Sequence, residues 1–132
     1  MKNILYLFLA LASYEMSAQT TAEAYLNSAV SKFYLNDMKG AIVDYTKAII
    51  IDPSYVAANR KRGLVKEELK DFSGAIVDYT KAIEIEPNYA TAYFNRGVSK
   101  FYLGDTIGAC KDARKAQELG DDASILIKKA CN

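Results

Sequence analysis

The sequence contains no histidine and no tryptophan, and only two prolines and two cysteines among its 132 residues. Without histidine the chain lacks the commonest general base, the usual partner of a catalytic nucleophile and the ligand of most transition-metal sites. Cys110 and Cys131 are too far apart for a CxxC zinc pair, and neither GxxxxGK(S/T) nor GxGxxG occurs. We therefore expect no enzyme, no cofactor and no small-molecule substrate.

The sequence also lacks an excess of charge of either sign. Lysine and arginine total 17 and aspartate and glutamate total 16, which leaves a formal net charge of +1. Binding to nucleic acid or to anionic lipid is driven by a strong basic excess. The composition therefore indicates neither of these partners.

One apolar run stands near the N-terminus. Lys2 precedes the apolar residues 4–12, and small residues follow around Ser17 and Ala18. This layout is typical of a secretory signal peptide, and the run is shorter than the roughly 20 residues of a transmembrane helix. We predict a signal peptide over residues 1–18, cleaved after Ala18, and a periplasmic or secreted protein. It would contact the membrane only if this segment stayed uncleaved. The alternative is an N-terminal helix that packs on the domain.

An internal period of 34 residues organises the rest of the chain. The decapeptide GAIVDYTKAI occurs at residues 40–49 and again at 74–83, and VSKFYL occurs at 30–35 and again at 98–103, twice 34 residues later. A period of this length indicates stacked units of supersecondary structure. The units span residues 22–55, 56–89 and 90–123.

Each unit has the pattern of two helices joined by a turn. Apolar and small residues recur at helical spacing in both halves, and an aspartate in each intervening turn can cap the second helix. Pro53 and Pro87 end the second helices of the first two units. Small residues recur at one register of the first helices, where they would let two helix backbones approach closely: Ala29, Gly63 and Gly97.

Charged residues also recur with the period. An aspartate on each second helix precedes a lysine by three residues, as in Asp44 and Lys47. Such pairs are usually solvated and contribute little to stability. We therefore expect Asp44, Asp78 and Asp112 to lie on an exposed outer face.

These registers resemble the tetratricopeptide repeat family. Within each 34-residue unit, the small residue at position 8 and the alanines at positions 20 and 27 are in register throughout, while the aromatic residue at 24 and the proline at 32 are present in the first two units. The third unit departs, with Ala113 for the aromatic residue and Asp121 for the proline. The resemblance implies an all-α fold, a right-handed α-α superhelix of helical hairpins.

The end of the chain predicts a capping helix over residues 122–131. Gly120 can end the preceding helix, Asp121 or Asp122 can cap the next one, and an apolar face follows. If the chain turns back at residues 120–121, Cys110 and Cys131 lie opposite each other. In an oxidising compartment we predict that they form a disulfide. The alternative is two buried free thiols.

In the family that the chain resembles, the first helices of successive repeats line a concave groove that receives peptides. Carried over by register, the resemblance implies that this groove is lined by Leu26, Asn27, Val30, Phe33, Arg60, Lys61, Leu64, Glu67, Phe94, Asn95, Val98 and Phe101. The outer two helices nearly copy each other, whereas the middle one is rewritten as NRKRGLVKEEL. The implied groove therefore has a basic centre and aromatic sides.

We expect Arg60 and Lys61 to bind a carboxylate, the flanking asparagines to hold the peptide backbone, and Phe33 and Phe101 to pack against apolar side chains. The partner would be a protein or peptide segment with acidic and apolar side chains. Alternatively, the charged residues form a solvated face and the aromatic residues belong to the core.

The dicarboxylate clamp of chaperone-binding family members is not reproduced, because Leu26, Val30 and Thr91 occupy positions of its lysines and asparagine. Binding of chaperone tails is therefore disfavoured. The sequence favours an exported scaffold that binds a protein or peptide. The alternative is a structural subunit that self-associates or docks within an envelope-bound assembly.

Overall fold

A computed structural model describes residues 2–132, apart from the side chain of Gln19. The described residues form seven helices joined by turns, with no strand among them. The helices are α1 (Lys2–Tyr34), α2 (Met38–Ile51), α3 (Val56–Glu68), α4 (Phe72–Ile85), α5 (Ala90–Tyr102), α6 (Thr106–Glu118) and α7 (Ser124–Ala130). The all-α fold class is therefore as expected.

The chain divides into two compact units. The first ends at Tyr55 and contains α1 packed against α2, and the second runs from Val56 to Asn132 and contains the remaining helices. In the second unit α3 packs on α4, α4 on α5, α5 on α6 and α6 on α7, while α3 and α7 each also touch α5. The repeat boundaries drawn from the 34-residue period stay predictions.

The turns within the helix pairs have one construction. Asp37, Asp71 and Asp105 accept hydrogen bonds from the backbone N–H three residues later, at 2.9, 2.9 and 2.8 Å. These bonds satisfy donors that the first turn of a helix leaves unpaired. The expected aspartate caps are thereby confirmed. The residue before each cap has a positive φ, 85° at Gly104, which ends the first helix.

Small side chains fill the contact between paired helices. Alanines at the two second-helix registers are fully buried, namely Ala41, Ala48, Ala75, Ala82, Ala109 and Ala116. At Gly63 a Cβ atom would lie 2.7 Å from Cε1 of Tyr79, and at Gly97 it would lie 3.1 Å from Cδ2 of Leu126. The helices therefore approach so closely that residue 63 has no room for a methyl group.

The aspartates expected on an outer face are buried. Asp44, Asp78 and Asp112 are 4%, 1% and 2% exposed. The expectation of solvated pairs with the lysines three residues later was therefore wrong. A carboxylate removed from water needs a partner, and the first helix of each pair provides one.

The cations that bind these aspartates also recur with the period. Lys32 Nζ lies 2.7 Å from a carboxylate oxygen of Asp44, and the corresponding Lys66 and Lys100 lie 2.9 Å from Asp78 and Asp112. In the second unit an arginine adds two further hydrogen bonds to each aspartate: Arg62 to Asp78 and Arg96 to Asp112. Bonds from Lys32 and then Ser28 lower the pKa of Asp44.

The N-terminal part of α1 lies outside the core. The side chains of residues 2–17 are all exposed, with Leu11 at 52% and Tyr14 at 74%, and the first buried side chain that the structure describes is that of Ala22. None of the described helices is both long and apolar enough to cross a membrane. The alternative of an N-terminal helix packed on the domain thus finds no support in these exposures.

Within the second unit, the C-terminal helix α7 packs mainly on α6. Leu126 and Ala130 join a buried cluster with alanines of α6, while Lys128 and Lys129 are exposed. Asp122 accepts a hydrogen bond from the Ser124 backbone N–H at 3.1 Å. The chain reverses before this helix at Gly120, where φ is 101°. The helix is shorter than the predicted range 122–131.

The two cysteines lie together beside α7. Cys110 of α6 and Cys131, the residue after α7, are joined as a disulfide with their Cα atoms 5.0 Å apart. The bridge closes a loop that runs from Cys110 in α6 to Cys131 and includes the whole of α7. It therefore restrains this short helix against α6.

The contact at Gly63 leads to a stability prediction. Gly63→Ala should lower the free energy of unfolding by about 1–2 kcal/mol, because the clash with the buried Tyr79 ring exceeds the roughly 1 kcal/mol gained in helix propensity. Gly97→Ala is the matched control and should lose less, since the atom nearest to its added Cβ lies at 3.1 Å instead of 2.7 Å. Urea unfolding monitored by circular dichroism measures both. A Gly63→Ala protein as stable as the parent would contradict the close packing.

Candidate functional site

In the first unit, the expected lining residues differ in how far solvent reaches them. Leu26 is buried at 8% exposure, so it belongs to the contact between α1 and α2. Asn27 is exposed, while Val30 and Phe33 are half-buried. The Phe33 ring meets the Tyr34 ring edge-on, with centroids 5.8 Å apart. On this helix, Asn27, Val30 and Phe33 can therefore reach a partner, whereas Leu26 scarcely can.

In the second unit, α3 presents three half-buried lining residues, Arg60, Lys61 and Leu64. The Arg60 guanidinium lies over the Tyr89 ring, 5.6 Å from its centroid. Its Nε atom is buried and has no hydrogen-bond partner among the described residues. The Arg60 guanidinium therefore contacts a ring, while one of its N–H groups has no acceptor in the described part of the chain.

Glu67, the fourth lining residue on α3, has a structural role. Its Oε2 atom accepts hydrogen bonds from the Tyr79 hydroxyl at 3.1 Å and from the Ser99 hydroxyl at 2.8 Å. Burial is the main reason that the pKa of Tyr79 is raised, and the negative charge of Glu67 and its hydrogen bond with Tyr79 raise it further. Glu67 thus links α3 to both α4 and α5.

Of the expected lining residues of α5, Asn95 is buried and the other three are half-buried. Asn95 is 9% exposed, and its Nδ2 atom is a second buried donor without a partner in the described part of the chain. Phe94, Val98 and Phe101 pack partly against the cluster formed by α6 and α7. The capping helix thus covers part of the face that the sequence assigned to a partner.

A cleft of about 220 Å³ remains between α5 and α7. Its walls include the three apolar lining residues of α5, and Tyr102, Ile125, Leu126 and Lys129 complete it. Ile125, Leu126 and Lys129 were not expected from the sequence, because the family resemblance was carried over only to first-helix positions. Tyr102 lies on a first helix, α5, but one residue beyond Phe101, the last position carried over. Tyr102 belongs to the repeated VSKFYL segment, which is the one signal that pointed to it.

The second unit therefore presents two kinds of group on neighbouring helices. Arg60 Nε and Asn95 Nδ2 are buried N–H donors that have no acceptor among the described residues. Leu64 and the half-buried residues of α5 offer apolar surface. This combination can bind the backbone and side chains of a peptide.

Two family models match the sequence. One, described as a tetratricopeptide repeat, matches residues 22–55, and the other, described as a TPR repeat, matches residues 68–104. The chain is a tetratricopeptide repeat protein. No curated protein matches its sequence.

Solved structures of this family are similar to the chain over most of its length. The first TPR of Spaghetti (RPAP3), bound to the HSP90 peptide SRMEEVD, is 26% identical, with a TM-score of 0.83 over 86% of this chain and 92% of that one. The first TPR domain of human RPAP3 is also 26% identical, with a TM-score of 0.79 over 84% of this chain and 90% of that one. These matches confirm the fold of a tetratricopeptide repeat solenoid.

MamA is similar at 32% identity, with a TM-score of 0.74. The match covers 76% of this chain but 59% of MamA, so the chain spans about three fifths of that protein. Among the similar structures, the Spaghetti domain is one that binds a peptide.

The bonds of Glu67 allow its structural role to be tested. Glu67→Ala should lower the free energy of unfolding by about 2–3 kcal/mol, because two buried hydroxyl groups lose their acceptor. The neighbouring Glu68 is exposed, and Glu68→Ala should change it by less than about 0.5 kcal/mol. Urea titration of both variants provides the comparison. Equal stability of the two would show that Glu67 is free to serve a partner instead.

Proposed function

We propose that this tetratricopeptide repeat protein is an exported, non-enzymatic scaffold that binds a protein or peptide segment through its first helices. The observation that carries the proposal is the pair of buried donors, Arg60 Nε and Asn95 Nδ2. A buried donor left without an acceptor costs about 1–3 kcal/mol. A carboxylate or a peptide carbonyl of a bound segment would supply the missing acceptors.

The surroundings of the donors support an acidic and apolar segment. Lys61 adds a second positive charge beside Arg60, and Leu64 lies one helical turn further along α3. Apolar side chains of the segment would pack on α5. In the first unit Asn27, Val30 and Phe33 offer the same kinds of contact. The partner would thus be held by backbone hydrogen bonds, by a charged pair and by apolar contacts.

The HSP90 peptide that the Spaghetti domain binds is not the expected ligand. Leu26, Val30 and Thr91 lack the charges and the amide needed for a dicarboxylate clamp, and Leu26 is buried. Selectivity would instead come from Arg60 and Lys61. The proposal therefore concerns an internal segment of a partner and not a chaperone tail.

Export is supported by the way in which burial begins along α1. The side chains of residues 2–17 are exposed, and Ala22 is the first one that is buried. Cleavage after Ala18 would therefore remove no core residue among those that the structure describes. The disulfide between Cys110 and Cys131 suits the oxidising compartment that an exported protein enters.

A second candidate function is that of a structural subunit in an envelope-bound assembly. It is favoured by two adjacent exposed apolar residues in the first unit, since Tyr34 and Leu35 are 81% and 80% exposed. Exposed apolar surface of this kind marks protein interfaces when it is contiguous. Light scattering across a range of concentrations distinguishes this role, which requires self-association, from that of a peptide-binding scaffold.

Charge reversal tests the binding face. The double substitution Arg60→Glu and Lys61→Glu should weaken binding of acidic-apolar peptides by about 10-fold or more, because attraction of a carboxylate becomes repulsion. Lys39→Glu with Lys81→Glu is the matched control, as both lysines are exposed on second helices. Fluorescence anisotropy against an array of acidic-apolar peptides measures both. Equal binding by both double variants would remove Arg60 and Lys61 from the binding face.

Export and the disulfide are tested together by the intact mass of the protein recovered from the exporting cell. We expect a chain beginning at Gln19 that is lighter by two hydrogen atoms than the same chain after reduction. Ala18→Leu should block cleavage, because signal peptidase requires a small residue there. A full-length chain in the cytosol with two alkylatable thiols would contradict both parts.

A further inference from the structure

We propose that the cleft between α5 and α7 is a pocket for one apolar side chain of a peptide, and that Lys129 binds an acidic group next to that side chain. The inference rests on the proposed peptide-binding function and specifies part of the ligand. It concerns residues of α7, which lie outside the first helices considered so far.

The size and lining of the cleft suit a single side chain. Its volume of about 220 Å³ is below the roughly 300–1,000 Å³ of pockets that hold drug-sized ligands. Leu126 is buried at 6% exposure, while Ile125 at 72% and Tyr102 at 64% are largely open to solvent. An apolar side chain entering the cleft would remove part of this apolar surface from water, which is favourable.

The walls of the cleft are held in place before any ligand arrives. Leu126 and Ala130 fix α7 in the buried cluster, and the disulfide at Cys131 restrains its end. On the α5 side, the Tyr102 ring stacks on the Phe72 ring, with centroids 4.9 Å apart and an angle of 11° between the planes. A preformed cleft binds with less loss of conformational entropy than a flexible one.

The charge at the cleft selects the class of ligand. Lys129 is the one charged residue among those that line it, and no acidic residue lines it. Lys129 is exposed, so its ammonium group can reach a carboxylate on a segment whose apolar side chain lies in the cleft. An extended peptide with an apolar residue beside a glutamate or aspartate fits both features. A second copy of the chain is a different occupant, and the experiment distinguishes it.

The experiment uses the purified full chain and four short peptides that share one glycine-serine scaffold. Their central dipeptides are Leu-Glu, Leu-Gln, Ser-Glu and Leu-Lys, so the apolar side chain and the charge vary separately. Binding is followed by ¹H–¹⁵N chemical-shift changes in residue-resolved spectra. The Leu-Glu peptide should shift resonances of Ile125, Leu126 and Lys129 and bind about 3- to 10-fold more tightly than the other three.

Two pairs of variants assign the binding to the cleft. Lys129→Glu should weaken binding of the Leu-Glu peptide by about 3- to 10-fold, whereas Lys128→Glu should change it by less than about 2-fold. Lys128 is the matched control because it is exposed on the same helix without lining the cleft. Likewise Ile125→Ser should weaken binding, and Ile107→Ser, at an exposed isoleucine of α6, should not.

The outcomes separate this inference from the proposed function. Equal weakening by Lys128→Glu and Lys129→Glu would reduce the effect to general charge attraction and overturn the pocket. Peptide binding that shifts only Arg60, Lys61 and Asn95 would overturn the pocket and leave the proposed function standing. Shifts of the cleft resonances that grow with protein concentration, without peptide, would make a second copy the occupant and also overturn it. Absence of binding by every peptide would count against both.

Discussion

The close approach of two helix backbones within each hairpin is the constraint on which the rest of this structure depends. It requires alanine or glycine where the helices touch, and at Gly63 the facing Tyr79 ring leaves no space for even one methyl group. At this separation an aspartate on the second helix is removed from water. It is bound there by a cation of the first helix, as Asp44 is by Lys32. Packing and electrostatics thus specify the same alignment of the first helix against the second helix.

This division of roles leaves the first helices with side chains that the hairpin contact does not use. In the second unit, these include the donors Arg60 Nε and Asn95 Nδ2, which find no acceptor among the described residues. Glu67 shares the repeat position of Phe33 and Phe101, two residues expected to contact a partner, yet it is hydrogen-bonded to Tyr79 and Ser99. A position in the repeat therefore does not determine whether a residue serves the fold or a partner. Its hydrogen bonds do.

Much of the architecture could be read from the period. Hairpins, aspartate caps and the role of the small residues follow from local rules that repeat every 34 residues. The buried aspartates were misread because a lysine three residues away is a local partner, whereas Lys66 and Arg62 of the preceding helix are closer to Asp78 in space. Choosing between these partners requires knowing which face of the second helix the first helix covers. Periodicity alone does not give the distance between an aspartate and each of these cations.

By itself the sequence determined that the chain is a tetratricopeptide repeat protein of helical hairpins, because that outcome depends on residue size and spacing within each repeat. Only the tertiary structure decided which candidate binding residues are available. Burial of Leu26, the bonds of Glu67 and the cleft beside Lys129 all arise from contacts between helices. Such contacts join residues far apart in the chain. Whether a side chain remains free for a partner is therefore decided by its neighbours in space.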